Sequence, residues 1–267
     1  MLPGVYKATK KDGSLYYRAG ITYKNKHISL GSFSTEKAAG RAYDEAVRIL
    51  NSSKRRFESL LTKKTHHLPF EKAVILYNLR DNGVYIKNPI YLRKKTFSYY
   101  LSPTDELKFD ADDLFYYSMH RIMKRQGRLF VNDYGMQIGI LTRYGIHPYA
   151  VEGRDYEFQN GDHSDLRYEN IVVKNPYRGV RIVRNDMTVR YKAVMHINGD
   201  WVIGTYESIF EAAIAYNKAL DMMADAGISG AREPNYIDEL SPKAYADIYS
   251  EAVISKKFLD YIKGAIN

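Results

Sequence analysis

The sequence predicts an α+β fold in which one small module, a three-stranded antiparallel sheet followed by a helix, occurs twice. Three features predict it: short stretches in which apolar and polar residues alternate, tight-turn dipeptides between them, and alanines at helical spacing after the third strand of each set. We expect a central domain between the two modules and a helical tail after the second. The expected segments are residues 1–57, 58–127, 128–176, 177–226 and 227–267.

The composition narrows the class of protein. The chain has 267 residues, enough for two or three modules, and 45% of them are hydrophobic, enough for real cores. Its formal net charge is +9, which attracts polyanions such as nucleic acid. No apolar run approaches the roughly 20 residues that a membrane-spanning helix needs. Without cysteine there is no disulfide or thiolate zinc site, so a cytoplasmic protein is expected. The alternative at this point is a basic protein with no nucleic-acid partner.

The first module is predicted within residues 1–57. Asp12-Gly13 is a strong hairpin signal, and residues 24–26 provide a second turn. Apolar residues alternate with polar or small ones along the middle strand, so one face of the sheet is apolar. Ser34 or Thr35 caps the following helix, whose alanines let it lie close on that face.

The other face of this sheet is predicted to be open. A β-sheet can enter the major groove of DNA, so the basic residues around this face are candidates for contacts with phosphates or base edges. The alternative is that they are ordinary solvated charges. The candidates are Lys10, Arg18, Lys24, Lys26 and His27.

Residues 177–226 repeat the pattern of the first module. Asn198-Gly199 is a hairpin turn, and Ser208 with Glu211 forms a capping box. An internal repeat of a three-strand-plus-helix unit is hard to obtain by chance. The matching residues are Gly4 and Gly179, Val5 and Val180, Tyr17 and Tyr191, Ala19 and Ala193, Ala42 and Ala215, Tyr43 and Tyr216, and Ala46 and Ala219.

Four short motifs connect the two modules to a known family. Residues 178–181 read RGVR, residues 203–206 read IGTY, residues 30–33 read LGSF and residues 42–46 read AYDEA. With these motifs both modules resemble the Apetala-type (ethylene-response-factor-like) DNA-binding domain. The resemblance implies sheets that read the major groove with arginines. In the second module it points to Arg178, Arg181, Arg184, Arg190, Lys192 and His196.

The chain also departs from that family. Pro3 and Tyr6 stand where the first module would have the hallmark arginines, and Gly20 and Val194 replace the glutamate of the second strand. Base preference is therefore not carried over, and we expect the two copies to read different half-sites. Trp201 falls in the inward register, so we interpret it as a core residue and not as a base-stacking one.

The region between the modules has weaker signals. Residues 58–70 are expected to form a linker or a short helix, and Glu71–Leu107 short strands. Asp110 can cap a helix that continues to about Met123. A strand is expected from Arg128. The predicted buried stripe of the helix is Leu114, Phe115, Met119 and Ile122.

Residues 155–173 combine acidic residues, an amide and a glycine turn. They contain Asn160-Gly161-Asp162, followed by DLRYENI from Asp165 to Ile171. From Met136 onward the chain resembles the core of HNH endonucleases, in which a β-hairpin and a following helix grip one divalent metal ion. The resemblance implies a ββα-metal-like domain whose helix opens at the DLRYENI segment.

The histidines of the HNH family are missing. Hydrolysis needs a base that deprotonates water and a metal ion that polarises the phosphate. Phe158 stands at the position of one histidine, and residues 136–144 contain none. We therefore expect an inactive site with no catalytic residue, metal or other cofactor, in which acidic and amide side chains hold the turn and cap the helix. The degenerate positions are Phe158, Asn160, Asp162 and Asn170.

Two alternatives stay open for this region. His147, or His163 with Asp165, could form a shifted metal site, which would make the protein a Mg²⁺- or Mn²⁺-dependent homing-type endonuclease. A second alternative is a mobile-element inhibitor that acts on a nucleic-acid-binding protein. Arg167 is a further candidate for a phosphate contact.

The C-terminal tail is predicted to contain two helices. Ser241-Pro242 opens the first, and Ser255 caps the second. Their apolar stripes are expected to pack on the second module, with a dimer interface as the alternative. The sequence as a whole favours a monomeric or homodimeric double-stranded-DNA-binding protein of bacterial or phage origin. Its expected location is the bacterial cytoplasm, nucleoid-associated or phage-infected, and no membrane association is expected.

Overall fold

The computed structural model describes residues 1–52, 54, 56–62, 66–185, 187–228, 230 and 232–266. Within these residues the fold is α+β, with four three-stranded antiparallel sheets, one two-stranded sheet and seven α-helices. The chain divides into two compact units. One comprises Met1–Ile140 with Asp162–Asn170, and the other comprises Leu141–Gly161 with Ile171–Asn267. The expected segment 128–176 is therefore shared between the units.

The first module has the three strands and the helix that the sequence predicts. They are β1 (Val5–Thr9), β2 (Leu15–Tyr23), β3 (Lys26–Phe33) and α1 (Glu36–Asn51). Lys24 and Asn25 both have positive φ angles, of 46° and 62°, as the tight turn of a twisted hairpin requires. Thr35, and not Ser34, caps α1, because its side chain accepts a hydrogen bond from the backbone N–H of Ala38.

The remainder of this unit contains three further helices and six strands. They are α2 (Glu58–Thr62), α3 (Phe70–Asn82), β4 (Ile90–Leu92), β5 (Thr96–Ser102), β6 (Asp105–Asp110), α4 (Leu114–Met119), β7 (Ile122–Arg125), β8 (Arg128–Asp133) and β9 (Met136–Gly139). The strand that was expected from Arg128 and the short helix after residue 58 are confirmed. Strands β4–β6 form one sheet and β7–β9 form another.

The expectation of short strands throughout Glu71–Leu107 is wrong for its first part, which is the helix α3. Every residue from Ala73 to Leu79 is buried, so this helix is surrounded on all sides. A helix with no solvent face lacks the 3.6-residue alternation that identifies helices in a sequence. Gly83, at φ 74°, ends it by donating its N–H to the carbonyl of Leu79.

The helix expected from Asp110 to Met123 is confirmed only for a shorter segment, Leu114–Met119. The structure has a 3-10 turn at Ala111–Asp113 followed by the short α4, and Ile122 belongs to β7. Phe115 and Met119, which were expected to be buried, are 81% and 72% exposed. Tyr117 is the residue of α4 that enters the core.

The second unit contains the second module. The elements of this unit are β10 (Tyr156–Phe158), β11 (Ile171–Val173), β12 (Val180–Arg184), β13 (Val189–His196), β14 (Asp200–Tyr206), α5 (Ile209–Asp225), α6 (Pro242–Glu251) and α7 (Lys256–Ile266). The three predicted strands and the predicted helix of the module, β12–β14 and α5, are confirmed. Ser208 caps α5 by accepting from the N–H of Glu211, whose carboxylate accepts from the N–H of Glu207.

The C-terminal tail packs on the second module, as expected from its apolar stripes. Phe258 and Ile262 are buried in the same hydrophobic cluster as the core of that module. Trp201 is half-buried there, its indole N–H donating to the carbonyl of Ile197 and its ring 4.3 Å from that of Tyr261. It is therefore a core residue, as predicted. Among the helices of the described residues, none has the length and apolarity of a membrane span.

The repeat extends to one glycine–tyrosine contact in each module. Gly4 and Gly179 have φ angles of 66° and 70°. A Cβ atom at either would lie 2.2 Å from the ring of Tyr43 or 2.3 Å from that of Tyr216. In each module the glycine carbonyl accepts a hydrogen bond from the residue at the β-bulge of the middle strand. The donors are Gly20, at 2.9 Å, and Val194, at 2.7 Å.

Candidate nucleic-acid interface

The sheet of the second module has one face against α5 and one open face. Val180, Ala193 and Ile203 point toward the helix and are buried. Alternation along the strands then puts four basic side chains on the open face. Arg181 lies opposite Lys192, and Lys192 opposite Thr205. We call this set the cationic face: Arg181, Arg190, Lys192 and His196.

Two carboxylates lie beside the cations of this face. Asp200 accepts a hydrogen bond from Arg181 at 2.5 Å and contacts Nδ1 of His196 at 2.9 Å. These contacts, led by the one with His196, lower the pKa of Asp200. Glu207 pairs with Arg190 at 2.7 Å. Exposed pairs of this kind contribute little to stability, so the cations can exchange carboxylates for phosphates at small cost.

Two of the six residues that were expected to contact DNA lie off the cationic face. Arg184 shares its alternation phase with Val180, so it projects from the helix side of the sheet at the end of β12. Arg178 precedes β12. Its guanidinium pairs with Glu233 at 2.7 Å, and its backbone N–H donates to the side chain of Asn235.

The open face of the first module has a different composition. Its outward positions carry rings and hydroxyls, and its only basic side chains are Arg18 and His27. We call it the tyrosine face, after Tyr6 and Tyr16. The outward positions on the three strands are Tyr6, Ala8, Tyr16, Arg18, Gly20, Thr22, His27, Ser29 and Ser32.

The three lysines that were expected on this face lie elsewhere. Lys10 and Lys24 belong to the hairpin turns. Lys26 is opposite Tyr23 in the inward phase, and its ammonium group lies 5.1 Å from the ring centroid of Tyr85. Arg18 does lie on the face and donates two hydrogen bonds to the hydroxyl of Tyr16, at 3.1 and 2.7 Å.

The loop 162–170, part of the first unit, uses its polar residues to hold its own backbone. Asp162 accepts hydrogen bonds from the hydroxyl and the N–H of Ser164, and these, led by the hydroxyl, lower its pKa. Asn170 donates its side-chain amide to the carbonyls of Asp162 and Asp165. The expected turn-holding role of Asp162 is confirmed. The expected helix is wrong, because Tyr168–Asn170 is a 3-10 turn that leads into β11.

Arg167 is neutralised within the same loop. Its guanidinium donates to both oxygens of Asp165, at 2.7 and 2.6 Å, and pairs with Glu169 at 2.5 Å. The hydrogen bonds that Arg167 donates to Asp165 are the main reason why the pKa of Arg167 is raised. This arrangement disfavours the expected phosphate contact. The loop itself joins the edge of β6 as a parallel bridge, through bonds between Lys108 and the segment 164–166.

The residues that could hold a metal ion are committed to other contacts. Asp162 accepts hydrogen bonds from Ser164, and Asp165 accepts hydrogen bonds from Arg167. Phe158 is paired with Ile171 in the two-stranded sheet, and Asn160 lies in the turn after β10. The described residues contain no group of three histidine, aspartate or glutamate side chains that could bind a metal ion.

The two histidines of the alternative site have different surroundings. His163 is exposed. His147 is half-buried, and its Nε2 atom has no hydrogen-bond partner among the described residues. Burial lowers the pKa of His147, so its imidazole is held neutral.

The residues that sequence reasoning missed are Tyr6, Tyr16, Asp200 and Glu207. Counting the alternation outward from Val5 would have placed Tyr6 on the open face, and counting it from Ala19 would have placed Tyr16 there. No protein-family model, no curated protein and no solved structure matches this chain.

Proposed function

We propose that this chain is a double-stranded-DNA-binding protein of bacterial or phage origin, and that its HNH-like segment is a scaffold without catalytic activity. The observation that carries the proposal is the cationic face. Four basic side chains lie on one open surface of a three-stranded sheet, with the opposite surface covered by α5.

The size and chemistry of this surface suit a DNA groove. Strands about 4.8 Å apart make a three-stranded sheet about 10 Å wide between its outer strands, which fits the roughly 12 Å major groove. Arginine can form a bidentate pair of hydrogen bonds with guanine, whereas lysine mostly contacts phosphates. The net charge of +9 adds a long-range attraction for DNA.

The inactive role of the HNH-like segment is supported by what its side chains contact. The phenyl ring of Phe158 can neither bind a metal ion nor accept a proton. Asp162 and Asn170 bind the loop backbone, and Asp165 binds Arg167. Side chains that bind the loop in this way support a structural role for the segment over phosphodiester hydrolysis, which needs a base and a metal ion.

The binding test is a titration of the full chain with a mixed-sequence duplex at several salt concentrations. We expect log K to fall linearly with log salt, with a slope of about −0.9 for each phosphate that is neutralised. Arg181→Ala should weaken binding about tenfold or more and reduce the slope by about one unit. Arg184→Ala is the matched control, because it removes the same charge from the other side of β12. A flat salt dependence, or equal losses in both variants, would contradict the proposal.

The scaffold role is tested by adding Mg²⁺ or Mn²⁺ to the chain with supercoiled DNA. We expect the DNA to stay supercoiled. Nicking or linearisation that is lost in His163→Ala or His147→Ala would show an active nuclease instead.

A further inference from the structure

The tyrosine face differs from the cationic face at the positions that would meet a ligand. Tyr6 occupies the position of Arg181, and Tyr16 that of Arg190, in the two matching registers. His27 occupies the position of Asp200. The nine outward positions of the first module contain no carboxylate. The face therefore presents rings and hydroxyl groups with a weak positive charge.

The two rings lie on neighbouring strands. Tyr6 is opposite Arg18, and Tyr16 is two residues before Arg18, so the rings are diagonal neighbours about 7–8 Å apart at their backbones. Tyr6 is 56% exposed. The two hydrogen bonds from Arg18 fix the Tyr16 hydroxyl and keep the guanidinium beside that ring, 5.4 Å from its centroid. The open face of the sheet thus carries two neighbouring rings, one of which is held by a guanidinium.

Such a surface matches the chemistry of unpaired nucleotides better than that of a duplex. In a duplex the faces of the bases are stacked on one another and cannot reach a protein ring. In a single strand the base faces are free, and proteins bind them by stacking on aromatic side chains beside basic residues that follow the backbone. The core of a protein–protein interface needs a larger apolar area than the one that Ala8 and Gly20 provide between these polar groups.

We propose that the tyrosine face binds unpaired nucleotides of single-stranded nucleic acid. Tyr6 and Tyr16 stack on bases, while Arg18 and His27 hold the phosphates and the hydroxyls of Thr22 and Ser29 contact the backbone. This inference goes beyond the proposed function: it assigns the open face of the first module to single strands, whereas the proposed function assigns the cationic face to the duplex.

The experiment measures the fluorescence anisotropy of two labelled probes with the full chain: a mixed-sequence 12-nucleotide single strand and a 20-base-pair duplex. Tyr6→Ala should weaken single-strand binding at least about fivefold, the loss of one stacked base. Tyr6→Phe keeps the ring and should bind like the unaltered chain. Arg181→Ala is the matched control in the other module and should weaken duplex binding only. Because Tyr6 is exposed, thermal unfolding should show all three variants folded.

The outcomes separate this inference from the proposed function. If the duplex binds and the single strand does not, or if single-strand affinity is unchanged in Tyr6→Ala while the duplex binds, the inference is overturned and the proposed function stands. If the single strand binds through Tyr6 and the duplex does not bind, the proposed function is overturned and the inference stands. Equal losses on both probes in Tyr6→Ala would contradict separate faces. The inference is also overturned if neither probe binds and a protein co-purifies with the unaltered chain but not with Tyr6→Ala. The tyrosine face would then belong to a protein interface.

Discussion

The two modules share a scaffold and differ on their open faces. The inward residues, the β-bulge and the glycine–tyrosine contact recur with nearly the same geometry, as the φ angles of 66° and 70° at Gly4 and Gly179 show. On the open faces, by contrast, Arg181 matches Tyr6 and Asp200 matches His27. Core packing constrains the inward positions of a small sheet, whereas outward positions can diverge with little effect on stability. The repeat therefore supplies one fold with two surface chemistries.

The largest expected effect tests the shared scaffold. Gly4→Ala and Gly179→Ala each combine a strained positive φ with a Cβ atom that clashes with a tyrosine ring, at 2.2 and 2.3 Å. Each should lower the free energy of unfolding by about 3 kcal/mol. Gly13→Ala is the control, since its φ is also positive but no atom lies within 4 Å of the added Cβ. Urea denaturation measures all three. A large loss of unfolding free energy in only one of the two variants, Gly4→Ala or Gly179→Ala, would contradict a scaffold shared by the two modules.

The next effect concerns the carboxylate that anchors the second module. Asp155, fully buried, accepts hydrogen bonds from Arg154, the N–H of Val151 and the side chain of Asn175, which also binds the carbonyl of Val180 at the start of β12. Burial raises the pKa of Asp155, but these hydrogen bonds outweigh it, and the pKa lies below the usual 3.8.

This pKa predicts how Asp155→Asn depends on pH. A lowered pKa means that the ionised carboxylate stabilises the folded chain above about pH 4, and that this contribution is lost as the pH falls through the folded-state pKa. The variant should lose about 2 kcal/mol of unfolding free energy at pH 7. Its difference from the unaltered chain should shrink below about pH 4. Urea titrations from pH 7 to pH 3 measure it, and a constant difference would show that the charge is not the cause.

The smallest expected effect tests whether the outward residues alone distinguish the modules. The double variant Tyr6→Arg, Tyr16→Arg gives the first module two cations of the second. Duplex affinity at 50 mM salt should rise about tenfold, and the salt slope should steepen by one to two units. Single-strand affinity should fall. The same changes to lysine are the control for charge alone. If duplex affinity does not change, features beyond these two positions distinguish the faces.

The modules could be predicted from sequence because their signals are local. Hairpin dipeptides, the capping residues Thr35 and Ser208, and strand alternation each act over a few residues. The misses arise where the determinant is not local. Helix α3 is apolar all round because other elements surround it, and residues 164–166 join β6 through a pairing across more than fifty residues. For the site, an open face was predictable, but the positions of Lys26 and Arg184 depended on strand phase.

The contact between Ser255 and β14 has a consequence for the solubility of truncated chains. The backbone N–H of Ser255 donates to the carbonyl of Ile203, and its hydroxyl donates to that of Val202, both on an outer strand of the sheet. Uncovered outer strands offer unpaired groups to which another chain can add. A chain ending before residue 255 should therefore self-associate, and its aggregation should be visible by light scattering while the intact chain stays dispersed.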